Sequence, residues 1–332
     1  MLWERFHVEI AMRTACPVAV ALLLALVVAP VGAQDTWPAR SVRFVVPSSP
    51  GGATDTYARL LSQGLNPVLK QQFIVDNRPG ASGNVGAEIA ARAAPDGYTF
   101  LVASSASLVI GPSLYKNLPF SVERDLTAVA RGVISPIAFT SHPSLPAKTL
   151  PALIALTKRE PGGLTYGSAG AGSPGNLAVK MLEEAAKVKF LHVPYKGAAQ
   201  ALVGLLRGEI AFMVSDVNTV LPHVQSKKLV TLAASHRTHH LPSTPSFADA
   251  GYPSVESTPS FSVAAPTGTP LAIIQRLSGE IIKLMKSPSF KERLDTLALI
   301  PLFDTPEEFA AVLKKERARY AEVIRRNNIV AE

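Results

Sequence analysis

Short apolar runs alternate with amphipathic segments along most of the chain. The run Val42–Val46 has the length of a strand, and apolar residues then recur at helical spacing from Tyr57 to Val68. Further strand-length runs lie at 73–75, 98–102, 133–139, 164–166, 190–193, 210–214 and 230–233. Strands that alternate with helices in this way predict βαβ units, and therefore an α/β fold with largely parallel sheets.

The C-terminal segment carries the start signals of a helix. Thr305 is a favourable cap, Pro306 suits the first helical turn, and Glu308 completes a capping box. The apolar residues that follow at helical spacing are Phe309, Val312, Leu313, Tyr320, Val323 and Ile324. This stripe predicts a helix with one face in the core.

The longest continuous apolar run lies near the N-terminus. Val18–Val28 has the length of a signal-peptide core and is too short to span a bilayer, and Arg13 supplies the preceding positive charge. Val31–Ala33 offers the small residues that a signal peptidase requires. We therefore predict that residues 1–33 are a signal peptide, cleaved before Gln34, and that the mature protein is periplasmic. The alternative is an uncleaved anchor.

The sole cysteine, Cys16, falls inside this N-terminal segment. A mature chain without cysteine excludes disulfides, a thiolate nucleophile and a cysteine metal site. The sequence leaves open whether translation starts at Met1 or Met12.

The length of the chain and its net charge reduce the number of possible fold and partner classes. A chain of 332 residues is long for one core and suits two lobes. The formal net charge is +8, but the basic residues are scattered, which argues against a nucleic-acid partner and favours the approach of small anions. Gly170–Gly175 matches a dinucleotide fingerprint by letter, yet the following region lacks the acidic residue that would bind a ribose, so no cofactor is expected.

Histidines provide the only suggestion of a metal. His236, His239 and His240 have a spacing that could hold an ion on a helix, but no carboxylate or thiolate lies near them in the sequence. We interpret them as a solvated turn and predict no metal site. His192 lies in an apolar run and is interpreted as a hydrogen-bonded core residue.

Loops rich in Gly and Ser follow several of the predicted strands. They are Ser48–Gly52, Gly80–Gly86, Ser104–Ser107, Ser168–Gly175, Lys196–Gly197 and Ser215–Asp216. Ligands of open α/β sheets bind outside the carboxyl ends of the strands, where helix N-termini favour anions and small residues allow close approach. The alternative is a set of ordinary capped turns. Asp55 is expected either to cap its helix at the Gly52 N–H or to orient a ligand, and Lys196 either attracts a carboxylate or is merely solvated.

An ordered set of motifs covers almost the whole mature chain. They are Pro50-Gly51-Gly52-Ala53-Thr54-Asp55, Asn77-Arg78-Pro79-Gly80 through Gly86, Pro95-Asp96-Gly97-Tyr98, Pro143 through Lys148, His192-Val193-Pro194-Tyr195-Lys196-Gly197, Ala265-Pro266-Thr267-Gly268 and Thr305 through Phe309. This set resembles the Bug family, the extracytoplasmic solute receptors of tripartite tricarboxylate transporters.

The resemblance implies a type 2 periplasmic-binding-protein fold, in which two α/β lobes are joined by a strand hinge. Lobe 1 would contain residues 34–138 plus 258–332, and lobe 2 residues 139–257. The resemblance also implies a monomeric, non-catalytic receptor that closes on a small organic carboxylate, holds it largely with backbone N–H groups and water, and delivers it to membrane transporter subunits.

The ligand-binding residues implied by the family motifs belong to both lobes. In lobe 1 they are Ser48, Ser49, Gly51, Gly52, Asp55, Ser104, Ser105 and Ser107, and in lobe 2 they are Ser168, Gly170, Gly172, Ser173, Gly197 and Asp216. Relatives often have an aromatic residue at the position of Ser48 and Trp-Phe at that of Ser260-Phe261, and these departures leave the identity of the carboxylate open.

Two other classes of function remain as alternatives. One is an exported enzyme acting on a small acid, which would need a titratable group poised in the cleft. The loops offer only Asp55, Lys196 and Asp216 as charged residues, so we expect no catalytic residue. The other is an orphan receptor that signals to a membrane sensor.

Overall fold

Two β-sheets organise the chain from Arg40 onward. The computed structural model describes residues 37–80, 83–115 and 117–330, so the predicted signal peptide and the cleavage site before Gln34 lie outside the described residues. The strands are β1 Val42–Val46, β2 Phe73–Asn77, β3 Thr99–Ser104, β4 Leu126–Ile134, β5 Ile137–Ser141, β6 Thr165–Ser168, β7 Leu191–Pro194, β8 Phe212–Asp216, β9 Val230–Ala234, β10 Ser260–Pro266 and β11 Ile300–Pro301. The six-stranded sheet has the order β11-β4-β10-β3-β1-β2, and the five-stranded sheet has the order β7-β6-β8-β5-β9.

Helices connect most of these strands. They are α1 Ala53–Leu69, α2 Asn84–Ala91, α3 Gly111–Leu114, α4 Val122–Asp125, α5 Leu150–Arg159, α6 Pro174–Ala186, α7 Ala198–Leu206, α8 Val217–Gln225, α9 Leu271–Lys286, α10 Pro288–Thr296 and α11 Pro306–Arg326. A π-helical turn, Ala106–Ile110, leads directly into α3. Within the described ranges, none of the helices combines the length and the apolar composition that a membrane span requires.

The prediction of largely parallel sheets is wrong for about half of the strand pairs in each sheet. Strand β1 pairs in parallel with β2 and β3, and β6 pairs in parallel with β7 and β8. Strand β10, however, is antiparallel to both β3 and β4, and β5 is antiparallel to both β8 and β9. Both sheets are therefore mixed, because the strand that arrives from the other sheet enters in the opposite direction.

The predicted single strand 133–139 is in fact divided between the two sheets. It breaks at Ser135 and Pro136, and β5 then begins a new sheet at Ile137. The returning chain crosses beside it, since the Ser135 N–H donates to the Pro259 carbonyl over 2.9 Å and the Ser235 N–H donates to the Ile137 carbonyl over 2.8 Å. Two α/β lobes are thus joined by a hinge of crossing segments, as expected. The exact lobe boundaries stay a prediction.

The C-terminal helix confirms the capping prediction. The Thr305 hydroxyl accepts from the Glu308 N–H at 3.2 Å, and the Glu308 carboxylate accepts from the Thr305 N–H at 2.8 Å. Five of the six predicted stripe residues are buried, and Val312 is half-buried. Helix α11 packs mainly on β4 and also contacts α6, so its apolar face touches elements of both lobes.

Aromatic side chains fill the core on the two sheets. Phe44 contacts the rings of Phe73 and Phe100 in the six-stranded sheet. In the five-stranded sheet, Phe212 packs against Phe139 and Tyr166, with ring centroids 6.0 and 5.6 Å apart. Burial on this scale holds the carboxyl ends of the strands, and the loops that follow them, in fixed positions.

Candidate functional site

The loop after β1 is held by one buried carboxylate. Asp55, on the first turn of α1, accepts hydrogen bonds from the Gly51 N–H, the Arg59 guanidinium and the Asn77 amide, each at 2.9 Å. Burial by itself would raise the pKa of Asp55, but these three donors together hold it below its ordinary value. The predicted bond from Asp55 to the Gly52 N–H is therefore wrong, because Asp55 accepts from the Gly51 N–H and the Gly52 N–H donates to the Ser49 carbonyl. The alternative role of Asp55 toward a ligand stays a prediction.

The neighbouring residues of this loop differ in exposure. Ser49 and Gly51 are exposed, whereas Ser48 is half-buried and its hydroxyl has no hydrogen-bond partner in the described part of the chain. The Gly52 N–H donates to the Ser49 carbonyl at 3.2 Å, which closes the turn ahead of α1. The first loop is thus a turn at the carboxyl end of β1 that is closed by backbone hydrogen bonds and by Asp55, while the Ser48 hydroxyl has no partner among the described residues.

The loop after β3 turns inward. Ser104 ends the strand, and Ser105 and Ser107 are buried at its foot. The Ser105 hydroxyl lies 3.4 Å from the Ser260 N–H, which ties the turn to the returning strand β10. Gly83 approaches closely here, since a Cβ placed on it would lie 2.6 Å from the Ser107 oxygen.

The loop after β6 is closed by hydrogen bonds between its own residues. The Ser168 hydroxyl contacts the Gly170 carbonyl at 3.0 Å and His192 Nε2 at 2.8 Å, and it accepts from the Gly170 N–H at 3.2 Å. The ring of His192 also stacks on Tyr166, with centroids 4.7 Å apart. His192 is therefore a hydrogen-bonded residue packed against the core, as predicted.

The same loop then starts α6. The Ser173 hydroxyl accepts from the Asn176 N–H at 3.3 Å, and the Asn176 side chain accepts from the Gly172 N–H at 3.1 Å while it donates to the Tyr166 hydroxyl at 2.8 Å. Gly172 has φ +71° and Gly170 has φ +117°, which are conformations that favour glycine. The N–H groups of both glycines already donate to side chains of this loop and of α6. The glycines therefore leave space for a ligand, and their N–H groups are not free donors.

A cavity of about 230 Å³ separates the loop after β3 from the loop after β6. Its walls are formed by Ala106, Ile110, Gly111 and Leu114 on one side and by Ala169, Ala171, Gly172, Ser173 and Pro174 on the other. The two walls belong to different lobes, and the N-terminus of α6 opens onto the cavity. None of its described lining residues carries a charged side chain. We take this cavity as the candidate site.

The structure brings only some of the predicted site residues to this cavity. Gly172 and Ser173 line it, and Ser105 and Ser107 flank the wall residue Ala106. Residues 48–55 are not among its described lining residues, nor are Gly197 and Asp216. Sequence reasoning missed the apolar wall of Ile110 and Leu114, for which the only signal was an apolar run directly after a serine-rich turn.

The two remaining lobe 2 residues have distinct surroundings. Gly197 precedes α7 with φ +120°, and nothing lies within 4 Å of a Cβ built on it, so the backbone is open at this point. Asp216 precedes α8 and accepts a hydrogen bond from the Ser135 hydroxyl at the hinge. Burial raises the pKa of Asp216, and the hydrogen bond from Ser135 only partly opposes this shift.

A larger cavity, of about 570 Å³, lies beside α11 and is lined in part by Tyr115, Phe120, Lys314 and Arg317. All its described lining residues come from the chain around α3 and α4 and from α11. None of these described residues comes from the second lobe, so a ligand bound there would not contact both lobes. We give preference to the smaller cavity between the lobes for this reason.

Comparisons with known proteins agree with this architecture. The model of the tripartite tricarboxylate transporter family receptor matches residues 57–329. The protein BugT of Bordetella pertussis is 36% identical over 302 residues, which is 90% of this chain and 92% of BugT.

Solved structures show the same fold. A protein from R. palustris solved with adipate is 30% identical, with a TM-score of 0.81 over 89% of this chain and 99% of that protein. The periplasmic binding protein BugD is 29% identical, with a TM-score of 0.77 over 89% of this chain and 100% of BugD. MatC from Rhodopseudomonas palustris, solved with bound malate, is 27% identical, with a TM-score of 0.76 over 87% of this chain and 100% of MatC. The family match covers most of the chain, and the fold and the order of motifs agree with it; this chain belongs to the tripartite tricarboxylate transporter receptors, the Bug family of solute-binding proteins.

Proposed function

We propose that this protein is a periplasmic receptor that captures a small organic carboxylate in the cavity between its lobes and delivers it to the membrane subunits of a tripartite tricarboxylate-type transporter. The observation that carries the proposal is the cavity of about 230 Å³, whose two walls are strand-to-helix loops from different sheets. A ligand that contacts both walls stabilises the closed arrangement of the lobes.

The chemistry of the cavity suits a carboxylate. The N-terminus of α6 opens onto it, and the partial positive charge of a helix N-terminus favours anions. Small residues on both walls allow the backbone to approach a ligand. Two relatives support this class of ligand, since one was solved with adipate and another with malate.

The proposed ligand-binding set keeps the residues implied by the family motifs. Gly172 and Ser173 would contact the ligand directly, and Ser105 and Ser107 would position the opposite wall. The remaining members are Ser48, Ser49, Gly51, Gly52, Asp55, Ser104, Ser168, Gly170, Gly197 and Asp216. Asp55 would act by fixing the first loop, because all three of its hydrogen bonds go to protein donors.

The mature N-terminus, the oligomeric state and the lobe boundaries that we propose are those predicted from the sequence. The exported chain would begin at Gln34 and act as a monomer, with lobe 1 formed by 34–138 plus 258–332 and lobe 2 by 139–257. The sheets support this division, since the strands of the five-stranded sheet all lie between Ile137 and Ala234. N-terminal sequencing of the exported protein tests the cleavage site, and a lipid-modified Cys16 would contradict it.

A thermal-shift screen tests the ligand class. Mono-, di- and tricarboxylates, with adipate and malate among them, are compared with neutral sugars on the mature protein. An acid at about 100 times its dissociation constant should stabilise the folded state by about 2.7 kcal/mol. A shift with sugars alone would contradict the proposal.

Two variants separate a backbone-based site from a charge-based one. Lys196 is exposed, so Lys196→Ala should weaken carboxylate binding only slightly. A bulky residue in place of Gly172, which lines the cavity, should abolish the ligand-induced shift while the protein still folds, because a side chain would fill the space for close approach. Loss of binding in Lys196→Ala alone would show that charge, and not the loop backbone, holds the ligand.

A further inference from the structure

Three potential metal ligands converge at a place that shares no described residue with the lining of the cavity. The expectation that the histidines hold no metal rested on the lack of a carboxylate near them in the sequence. The fold supplies one, because Asp295 at the end of α10 lies 3.2 Å from His239 Nε2 and 3.4 Å from His240 Nε2. One donor atom from each of the three residues lies within 4.8 Å of the other two.

These separations suit a tetrahedral ion. Zinc binds imidazole nitrogen and carboxylate oxygen at about 2.0–2.2 Å, which places two ligand atoms on a tetrahedral ion about 3.3–3.6 Å apart. The two histidine-to-carboxylate distances are close to this range. The two imidazole rings face the same space, with centroids 4.1 Å apart. Three protein ligands with water in the fourth position is a common zinc arrangement.

Buried neighbours hold both ligand-bearing segments in place. Leu241, next to His240, and Ala298, three residues after Asp295, are buried in one apolar cluster. The His240 N–H donates to the Thr238 hydroxyl at 3.3 Å, and the Ala298 N–H donates to the Asp295 carbonyl at 2.7 Å. The ligands are therefore brought together by packing, and not only by their own charge.

The exposure of the ligands leaves one side open for an ion. The His240 side chain is 16% exposed, whereas those of His239 and Asp295 are 68% and 51% exposed. His240 Nε2 also lies 2.8 Å from the Asp295 carbonyl oxygen, where it donates a hydrogen bond when it carries the proton. Binding of an ion at Nε2 requires the other tautomer, with the proton on Nδ1.

We propose that His239, His240 and Asp295 form a zinc site that links the two lobes. His239 and His240 follow β9 of the five-stranded sheet, and Asp295 lies in the helix that leads into β11 of the six-stranded sheet. A bound ion thus connects a segment of each lobe near the hinge, at a site separate from the carboxylate cavity.

Calorimetric titration with Zn²⁺ tests this site on tag-free, chelator-treated protein, with Mg²⁺ as the comparison ion. We expect about one Zn²⁺ per chain and no comparable binding of Mg²⁺, which prefers oxygen ligands. Asp295→Asn and His239→Ala should each weaken zinc binding by more than about tenfold, since loss of a supporting contact alone has at least that effect. His223→Ala, on α8, is the matched control and should bind like the unmodified protein.

The melting temperature is a second measurement, which distinguishes loss of the zinc site from misfolding of a variant. Zn²⁺ should raise the melting temperature of the unmodified protein and of His223→Ala, but not that of Asp295→Asn, while circular dichroism shows that all three are folded. Absence of stoichiometric zinc in the unmodified protein would overturn the proposal and leave a hydrogen-bonded His–Asp cluster. Equal zinc affinity in Asp295→Asn would also overturn it.

Discussion

A single added methyl group at Gly172 should weaken both folding and ligand binding. Gly172 has φ +71°, and a Cβ built on it would lie 2.6 Å from Leu114 Cδ2 on the opposite wall of the cavity. Gly162 offers a matched control, since it has φ +74° and no atom lies within 4 Å of its Cβ position. Alanine at either position experiences the same backbone strain, but only the Gly172 variant also meets Leu114.

The expected magnitudes follow from this pairing. An alanine in the left-handed region is destabilised by about 1–2 kcal/mol, so both variants should lose about that much stability. Overpacking adds about 1–3 kcal/mol at Gly172 alone, and we expect the lower half of this range because the end of the Leu114 side chain can rotate. Separation of the two walls relieves only part of the overpacking, so the rest lowers the stability of the free protein, and the relieved part makes ligand-bound closure less favourable. A loss of about 1–2 kcal/mol corresponds to a roughly 5–30-fold weaker affinity.

Urea denaturation and calorimetric titration with the best acid from the screen measure the two effects. Gly172→Ala should be less stable than Gly162→Ala by about 1–2 kcal/mol, and only Gly172→Ala should lose affinity. Adding Leu114→Ala to Gly172→Ala should restore part of the affinity, since it removes the opposing methyl groups. If the two glycine variants have the same stability and the same affinity, the close approach of the walls does not exist in solution.

Three further predictions concern single side chains. The pKa of Asp55 lies below its ordinary value, so the stability that its ionised form contributes is complete above the unfolded-state pKa of ~4 and is lost as the pH falls through the lower folded-state pKa. Asp55→Asn should therefore be less stable than the unmodified protein at pH 7, and the difference in unfolding free energy should narrow in acid. A difference that does not change with pH in urea denaturation would refute this. The pKa of Asp216 is raised by burial, so ionisation of Asp216 destabilises the folded state as the pH rises above ~4. Asp216→Asn should therefore gain stability relative to the unmodified protein between pH 4 and pH 7. A difference in unfolding free energy that stays constant over this range would exclude the effect. Thr305→Ala should cost about 1 kcal/mol by removing the cap of α11, whereas Thr305→Ser should retain most of the stability, and equal loss in both variants would argue against the capping box.

Local chemistry explains why much of the fold could be predicted from the sequence. Strand Val42–Val46 is apolar at every position except Arg43, because four of its five residues are buried, and the Thr305 cap works through residues only three positions apart. The direction and sheet of a strand are not local. Nothing in the run 133–139 shows that the chain changes sheets at Pro136, and the position of β10 between β3 and β4 depends on partners more than 100 residues away.

In the candidate site, too, the features that depend on residues close in sequence were predicted, and those that depend on distant residues were not. The Gly- and Ser-rich turns at the ends of β1, β3 and β6 were predicted because glycine is needed where φ is positive, as at Gly170 and Gly172. The apolar wall was not predicted, since Ile110 and Leu114 belong to a π-helical turn and a short helix that have no distinct sequence signal. The convergence of Asp295 on His239 was likewise invisible, because 56 positions separate them.

The lining residues of the cavity that the structure describes are all uncharged, and this has a consequence for the proposed transport role. A buried arginine would have to be desolvated with the ligand, and breaking such a pair on release is costly by about 3–5 kcal/mol. The α6 N-terminus offers an anion a weaker stabilisation, of about 0.3–2 kcal/mol, and the formal net charge of +8 assists its approach from a distance. Each contribution is small, and a large share of the binding free energy then comes from closure of two walls that can separate again. A receptor built in this way can hold an acid in the periplasm and still release it when a transporter opens the lobes.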